Sequence, residues 1–212
     1  MIVNPDLIRK NLLTYTRIAF QLLPEIDCPL ILDIGCGTGV PTIEIAEMSN
    51  GSVIGVDIDS IALNILEGKI RQNKLNNRVR TLNCSFTNMP FDEGTFDIIW
   101  AEGAVSQCGF AGATKLLGRF LKRGGFFVVH DIEGNYIEKI NAVESENFRL
   151  YGFFVLSETV WWNEYYRHLE AELTTATSTQ PPFDLGSLRK EVAQFKREPQ
   201  RYRSAFFIMQ KI

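Results

Sequence analysis

The chain is poor in the residues that build metal and disulfide sites. Its cysteines are Cys28, Cys36, Cys84 and Cys108, none in a C-x-x-C pair, and its histidines are His130 and His168 alone. The usual zinc spacings are therefore excluded, and no metal is expected. Cys36 lies in a glycine turn that a disulfide would obstruct, so a reduced, cytoplasmic protein is expected. Long apolar runs are also missing. The stretch 18–23 is far too short to span a membrane and is interrupted by Gln21; no span and no signal peptide are expected. Excess positive charge is lacking too. Lys and Arg total 22 against 25 Asp and Glu, a formal net charge of −3, so nucleic acid is not an expected partner. The cations Lys196, Arg197, Arg201 and Arg203 read as a solvated surface.

What is present is a globular composition, 45% hydrophobic over 212 residues, enough for one large domain and too short for two full ones. Apolar runs at 29–34, 52–56, 79–84, 96–101, 126–130, 152–156 and 205–209 read as strands, the first five alternating with helical patterns. That rhythm calls for a parallel sheet with right-handed crossovers. Asn4-Pro5 opens a helix, with an N-cap and a proline in its first turn, running to Pro24; Asp59 or Ser60 opens another. Further helices are expected at 41–48, 112–121, 135–151, 158–173 and 185–195.

The chemistry concentrates where residues 31–39, ILDIGCGTG, are followed eighteen residues later by Asp57. A glycine turn after one strand and an acid ending the next make a nucleotide-type cofactor site: the glycines admit close backbone approach, and the acid can accept from ribose hydroxyls. A dinucleotide fingerprint G-x-G-x-x-G would place its third glycine at position 40, but Val40 stands there and the glycine is Gly39. Pro41 also removes an N–H that a pyrophosphate would use. A cofactor lacking a pyrophosphate fits better.

Residues 31–39 resemble motif I of the class I S-adenosylmethionine-dependent methyltransferases, "LDIGCGTG". The stretches 54–59 (IGVDID), 88–91 with 96–99 (NMPF and FDII) and 121–125 (LKRGG, Arg123 replacing the usual proline) resemble later motifs of that family, in its order and spacing. The resemblance covers roughly residues 30–131. It implies an α/β Rossmann-like, doubly wound sheet of seven strands, order 3-2-1-4-5-7-6, with the last-but-one position antiparallel and helices on both faces. It further implies one methyltransferase domain: an N-terminal helical cap (1–28), a cofactor-binding core (29–157), a helical insertion (158–200) and a last strand (201–212).

The cofactor so implied is S-adenosylmethionine, leaving as S-adenosylhomocysteine, with no metal. Carried over residue by residue, Asp33, Gly35, Cys36 and Gly37 line its methionine part. Asp57 takes the ribose hydroxyls, Ile58 packs on the adenine, Ala101 offers backbone to the ammonium, and Ser85 with Phe86 addresses the adenine edge. Many relatives carry Asp at the position of Ser85. Each acid also has a plain structural reading: Asp33 as a turn cap, Asp57 as an ordinary strand-end acid. Ser85 and Phe86 also read as a loop start beside the core.

A methyl acceptor that needs deprotonation needs a base. Glu102, after the fourth strand, and His130, ending the fifth, are the catalytic candidates. Glu102 reads equally as a ligand of the cofactor ammonium, and a lone strand-end His is commonly structural. The acceptor is expected to meet Tyr15, Glu102, Trp162 and Tyr166, while Trp161 and Tyr165 pack their helix on the sheet. Position 102 lacks both the [D/N/S]-P-P-[Y/F] motif of nucleic-acid amino-methyltransferases and the Pro-Cys of cytosine C5 enzymes. The aromatic segment 160–166 and residues 101–104 resemble a subgroup near the quinone-biosynthesis C-methyltransferases. A small organic acceptor is expected; a protein or RNA acceptor, or cofactor binding without transfer, are the alternatives.

Overall fold

In the computed structural model, which describes residues 2–105, 108–132, 134, 136–145 and 147–212, the apolar runs become a seven-stranded sheet. Its strands are β1 (Leu30–Ile34), β2 (Ser52–Asp57), β3 (Val79–Asn83), β4 (Phe96–Glu102), β5 (Leu121–Ile132), β6 (Phe148–Leu156) and β7 (Ser204–Lys211). The spatial order is β3-β2-β1-β4-β5-β7-β6, and β7 runs antiparallel to both its neighbours. The remaining pairs are parallel. Strand order reverses between β1 and β4, the position at which a doubly wound sheet opens a cleft.

Helices cover both faces, because the strands are apolar on both. On one face α2 (Leu13–Gln21), α3 (Val40–Met48) and α4 (Ser60–Gln72) bury Ala19, Ile45, Ala46, Leu63 and Leu66 against Ile31, Val53, Ile98, Trp100 and Phe206. On the other, α5 (Gly109–Gly118) and α6 (Tyr136–Ser145) bury Phe110, Ala113, Leu117 and Val143 against Ile99, Phe127, Val129 and Phe207. Asp97, in the fourth-strand motif, accepts the Leu30 N–H at 2.9 Å and pairs with Lys122 at 2.8 Å, fixing where β1 begins.

A third core joins the two ends of the chain. Val3 and Ile8 pack with Tyr165, Tyr166, Leu169, Leu188, Val192 and Phe195. Val3 precedes and Ile8 lies on α1 (Pro5–Arg9); the others lie on or beside α7 (Glu158–Trp161), α8 (Arg167–Thr175) and α9 (Leu185–Arg197). A short parallel pairing of Ile2–Val3 with Ser178–Thr179 adds to this contact.

Several boundaries differ from expectation, each for a local reason. Asn4 caps α1 as expected, accepting the Asp6 N–H at 3.1 Å, but a 3₁₀ turn at Lys10–Leu12 splits the N-terminal helix from α2. The fifth strand starts before Gly124-Gly125, at Leu121; Gly124 takes a left-handed φ of +81°, so the chain bends without leaving the sheet. The helix expected over 135–151 ends at Ser145, and Phe148–Leu156 is strand throughout, paired along its length with β7. Asn135 lies outside the described residues. Among the described residues no helix is long and apolar enough to cross a membrane.

Candidate functional site

The carboxyl edge of the sheet brings together the glycine turn after β1, Asp57 at the end of β2, Glu102 at the end of β4 and His130 near the end of β5. Two glycines of the turn carry distinct constraints. Gly39 has φ +79°, and a Cβ there would lie 2.1 Å from Leu66 Cδ1, so the turn and α4 touch through the missing side chain. Gly37 has φ +51°, and a Cβ there would meet nothing within 4 Å: its backbone borders open space. Main-chain bonds hold the turn. The Gly35 and Cys36 N–H groups both donate to the Val56 carbonyl, at 2.8 and 3.2 Å.

Asp57 ties the second strand to the turn. Its Oδ2 accepts the Gly37 N–H at 2.7 Å and its Oδ1 accepts the Asp59 N–H at 2.9 Å. Each carboxylate oxygen has two lone pairs, so both can still accept from a bound diol. Ile58, the next residue, is 67% exposed, an uncovered apolar surface beside that acid. Ser85 Oγ and Thr87 Oγ1 share a hydrogen bond at 2.7 Å, and Phe86 packs on the core next to β4. Ala101 is fully buried.

Two carboxyls lie at the other end of the site. Asp33 is 2% exposed and accepts from Thr42 Oγ1 at 2.6 Å. Burial pushes its carboxyl up to about 7, with the charges of Glu102 and Asp57 adding and the Thr42 hydrogen bond opposing. Glu102 Oε1 accepts from Trp100 Nε1 at 2.8 Å and from Thr16 Oγ1 of α2 at 2.9 Å. Burial pushes this carboxyl, too, up to about 7 against those two hydrogen bonds. Burial pushes the Cys36 thiol up as well, so it stays protonated.

His130 does not stand as an open base. Its ring is stacked 4.3 Å from Phe206 and 5.9 Å from Trp161, and its Nε2 is hydrogen-bonded to Ser204 Oγ at 2.8 Å. Burial lowers its pKa to about 4, so the ring is neutral. Trp161, expected to pack, does so, and its indole N–H also donates to Ser204 at 2.9 Å.

Trp162 and Tyr166 do not face the cleft. Tyr166 is 2% exposed, stacks on Phe195 at 4.1 Å and donates its hydroxyl to Glu191; Trp162 stacks on the same Phe195 at 6.0 Å. The physical reason is a π-helical turn at Trp162–Tyr166, whose wider winding swings adjacent residues into the third core. Tyr165 and Tyr166 are thereby both buried, where regular α-helical spacing separates them. Tyr15, on α2, is half-buried, its phenol pushed up by burial and by Glu164 of the insertion.

Sequence reasoning missed the polar contacts of the N-terminal segment. Thr16 is 2% exposed yet sits in an ordinary helical stripe, and Asp6 reads as the first-turn acid that favours any helix start. A cavity of about 500 Å³ lies at the opposite sheet edge, bordered by Phe20, Leu23, Pro29, Met48 and Ile98; it includes none of the expected site residues. Among the described residues no group of three or more His, Cys, Asp or Glu could hold a metal ion.

Residues 31–125 match the family model described as "Methyltransferase domain". A sterol 24-C-methyltransferase of Eremothecium gossypii is 35% identical over 105 residues, 48% of this chain and 28% of that protein. The matched stretch thus spans under a third of that relative's length. Among solved structures, a methyltransferase of Thiobacillus denitrificans in complex with S-adenosylhomocysteine superimposes with a TM-score of 0.73 at 12% identity, covering 100% of both chains. The [4+2]-cyclase SpnF superimposes with a TM-score of 0.74 at 16% identity, covering 93% of this chain and 80% of that one. The structural likenesses show the fold. The family match and the sterol relative are both confined to part of the chain, and show what that part is similar to.

Proposed function

We propose that this chain is an S-adenosylmethionine-dependent methyltransferase acting on a small organic molecule. The observation that carries the reading is the union of Asp57 with the glycine turn: an acid with spare acceptor capacity, bonded to Gly37, whose backbone borders open space. The residues fit the group chemically. Asp57 suits a ribose diol, exposed Ile58 suits an adenine face, and the carboxyls of Asp33 and Glu102 suit a cationic methionine end. When bound, the cofactor supplies an activated methyl carbon on a sulfonium. Gly35, Cys36 and Gly37 form the floor beneath it. Ala101 lends backbone, and Ser85 with Phe86 borders the adenine.

Glu102 is the residue best suited to move a proton. A carboxyl near neutrality can take a proton from an acceptor at working pH, and its Oε1 is already fixed by Trp100 and Thr16. Tyr15, close to the Glu102 contact on α2, is the remaining acceptor-side candidate. His130 acts by holding β5, β7 and α7 together. Substrates such as the sterol of the matched relative set the chemical class: small and organic. A quinone-like ring is a narrower proposal, resting on the sequence resemblance of residues 101–104 and 160–166. The chain is read as a single methyltransferase domain over 1–212, working in the cytoplasm.

The test is transfer of a labelled methyl group, read as S-adenosylhomocysteine release, across small apolar acceptors, a protein mixture and RNA. Release with a small acceptor, lost in Glu102→Gln at saturating cofactor, supports the reading. Release only with protein or RNA overturns the acceptor class. Cofactor binding without release on any acceptor favours a binding protein, since fold alone does not fix chemistry.

A further inference from the structure

The N-terminal segment reaches the glycine turn through a closed ring of three contacts. Thr38 Oγ1 donates to Asp6 Oδ1 at 2.7 Å; Lys69 Nζ donates to Asp6 Oδ2 at 2.6 Å and to the Thr38 carbonyl at 2.8 Å. The ring joins α1, the turn and α4, which lie far apart in sequence. It is sheltered: the Asp6 side chain is 9% exposed and that of Lys69 22%. Nothing about the strand-helix framework requires it, since α3 and α4 already pack on the sheet through Ile45, Leu63 and Leu66.

Its position gives it a consequence. Gly37, next to Thr38, is held by Asp57. The turn is therefore gripped at two successive residues, by the proposed ribose acid on one and by the N-terminal arm on the other. The arm is held elsewhere by apolar contacts of Val3 and Ile8 and by pairing with Ser178–Thr179. Loss of the ring would free the arm at the turn while leaving it attached to the insertion. A sheltered carboxylate that loses a partner is costly to keep in place, so the arm would open rather than stay.

We infer that Asp6 and Lys69 are positioning residues of the cofactor turn: they latch the N-terminal arm onto Thr38, so that arm closure and cofactor retention form one equilibrium. This rests on the cofactor reading above. Asp6 and Lys69 act through Thr38 and the arm. When only the latched form retains cofactor, apparent affinity falls with the latched fraction.

The experiment measures S-adenosylhomocysteine dissociation rates together with amide exchange over residues 2–12, on the full chain. Asp6→Asn and Lys69→Met should each speed dissociation about tenfold and raise exchange in the arm. The double variant should be no faster than either single one, because both break the same ring. Thr38→Ser, which keeps the hydroxyl, should retain wild-type rates, and Thr38→Val should not. Matched thermal midpoints separate latch loss from general destabilisation, and a variant that fails to fold is replaced by its ring partner. Wild-type dissociation in both Asp6→Asn and Lys69→Met, with wild-type protein binding the ligand, overturns the latch alone. Wild-type protein that does not bind the ligand overturns the cofactor reading and the latch with it.

Discussion

The cofactor edge and the cap that the helical insertion forms with the N-terminal arm are built by different forces. Main-chain bonds and glycine conformations hold the edge: Val56 accepts from Gly35 and Cys36, and Asp57 accepts from Gly37 and Asp59. The cap is held by rings: Tyr165, Tyr166, Trp162, Phe195 and Tyr202 stack or meet edge to face, with Val3 and Ile8 of the N-terminal arm among them. A backbone-built site leaves a fixed spacing of glycines and acids. A side-chain-built module tolerates any arrangement of rings that fills its volume.

The comparison breaks most visibly under truncation in the cap. Tyr166→Ala should cost about 4 kcal/mol of stability, through loss of a fully buried ring. Loss of amide-exchange protection should be confined to 158–202 and the N-terminal arm, with β1 to β5 protected as in wild type. Uniform loss would show that the two regions unfold together. Next in size, Gly39→Ala should cost about 3 kcal/mol, combining strain at positive φ with the clash on Leu66, as read by urea melts. Gly37→Ala, with the same sign of φ but open space, should cost about 1 kcal/mol in stability while weakening S-adenosylhomocysteine binding. If the two glycines behave alike, the distinction between packing turn and open turn fails.

A smaller effect concerns pH. The folded-state pKa of Glu102 is raised, to about 7, above the usual 4.5 of a Glu. Between those values the unfolded chain has lost its proton and the folded chain has kept it, so this group lowers stability as pH rises through the window and adds no further change above it. Glu102→Gln should therefore gain on wild type by on the order of 1 kcal/mol between pH 5 and pH 8 in thermal melts. A difference independent of pH would contradict the raised pKa. His130 acts oppositely. Its folded pKa is lowered to about 4 from 6.5, so its contribution is lost as pH falls through that interval. The smallest effect is Tyr166→Phe, which removes the hydrogen bond to Glu191 and should cost about 0.5 kcal/mol by chemical denaturation.

The same contrast explains what could be read from the chain before its fold. Residues 31–39 and Asp57 announce themselves, because close backbone approach requires glycine and two hydroxyls require an acid. The cap did not: Trp162 and Tyr166 follow the helical stripe by one residue, and only the π-helical turn, which no residue spacing announces, carries them into the core. His130 sits at a strand end facing the cleft by position, yet rings on both sides and Ser204 occupy it. Thr16, Asp6 and Lys69 were invisible for another reason. Their partners Glu102 and Thr38 lie 86 and 32 residues away in the first two cases, and isolated polar residues on amphipathic helices look like solvated surface.

Isothermal calorimetry of the purified chain with S-adenosylhomocysteine, wild type beside Asp57→Ala, tests the central claim most directly. The account predicts one-site binding by wild type and a loss of about 2 kcal/mol in the variant, since one charged acceptor serves two hydroxyls. No heat of binding at millimolar ligand, or equal affinity in the two proteins, would contradict it.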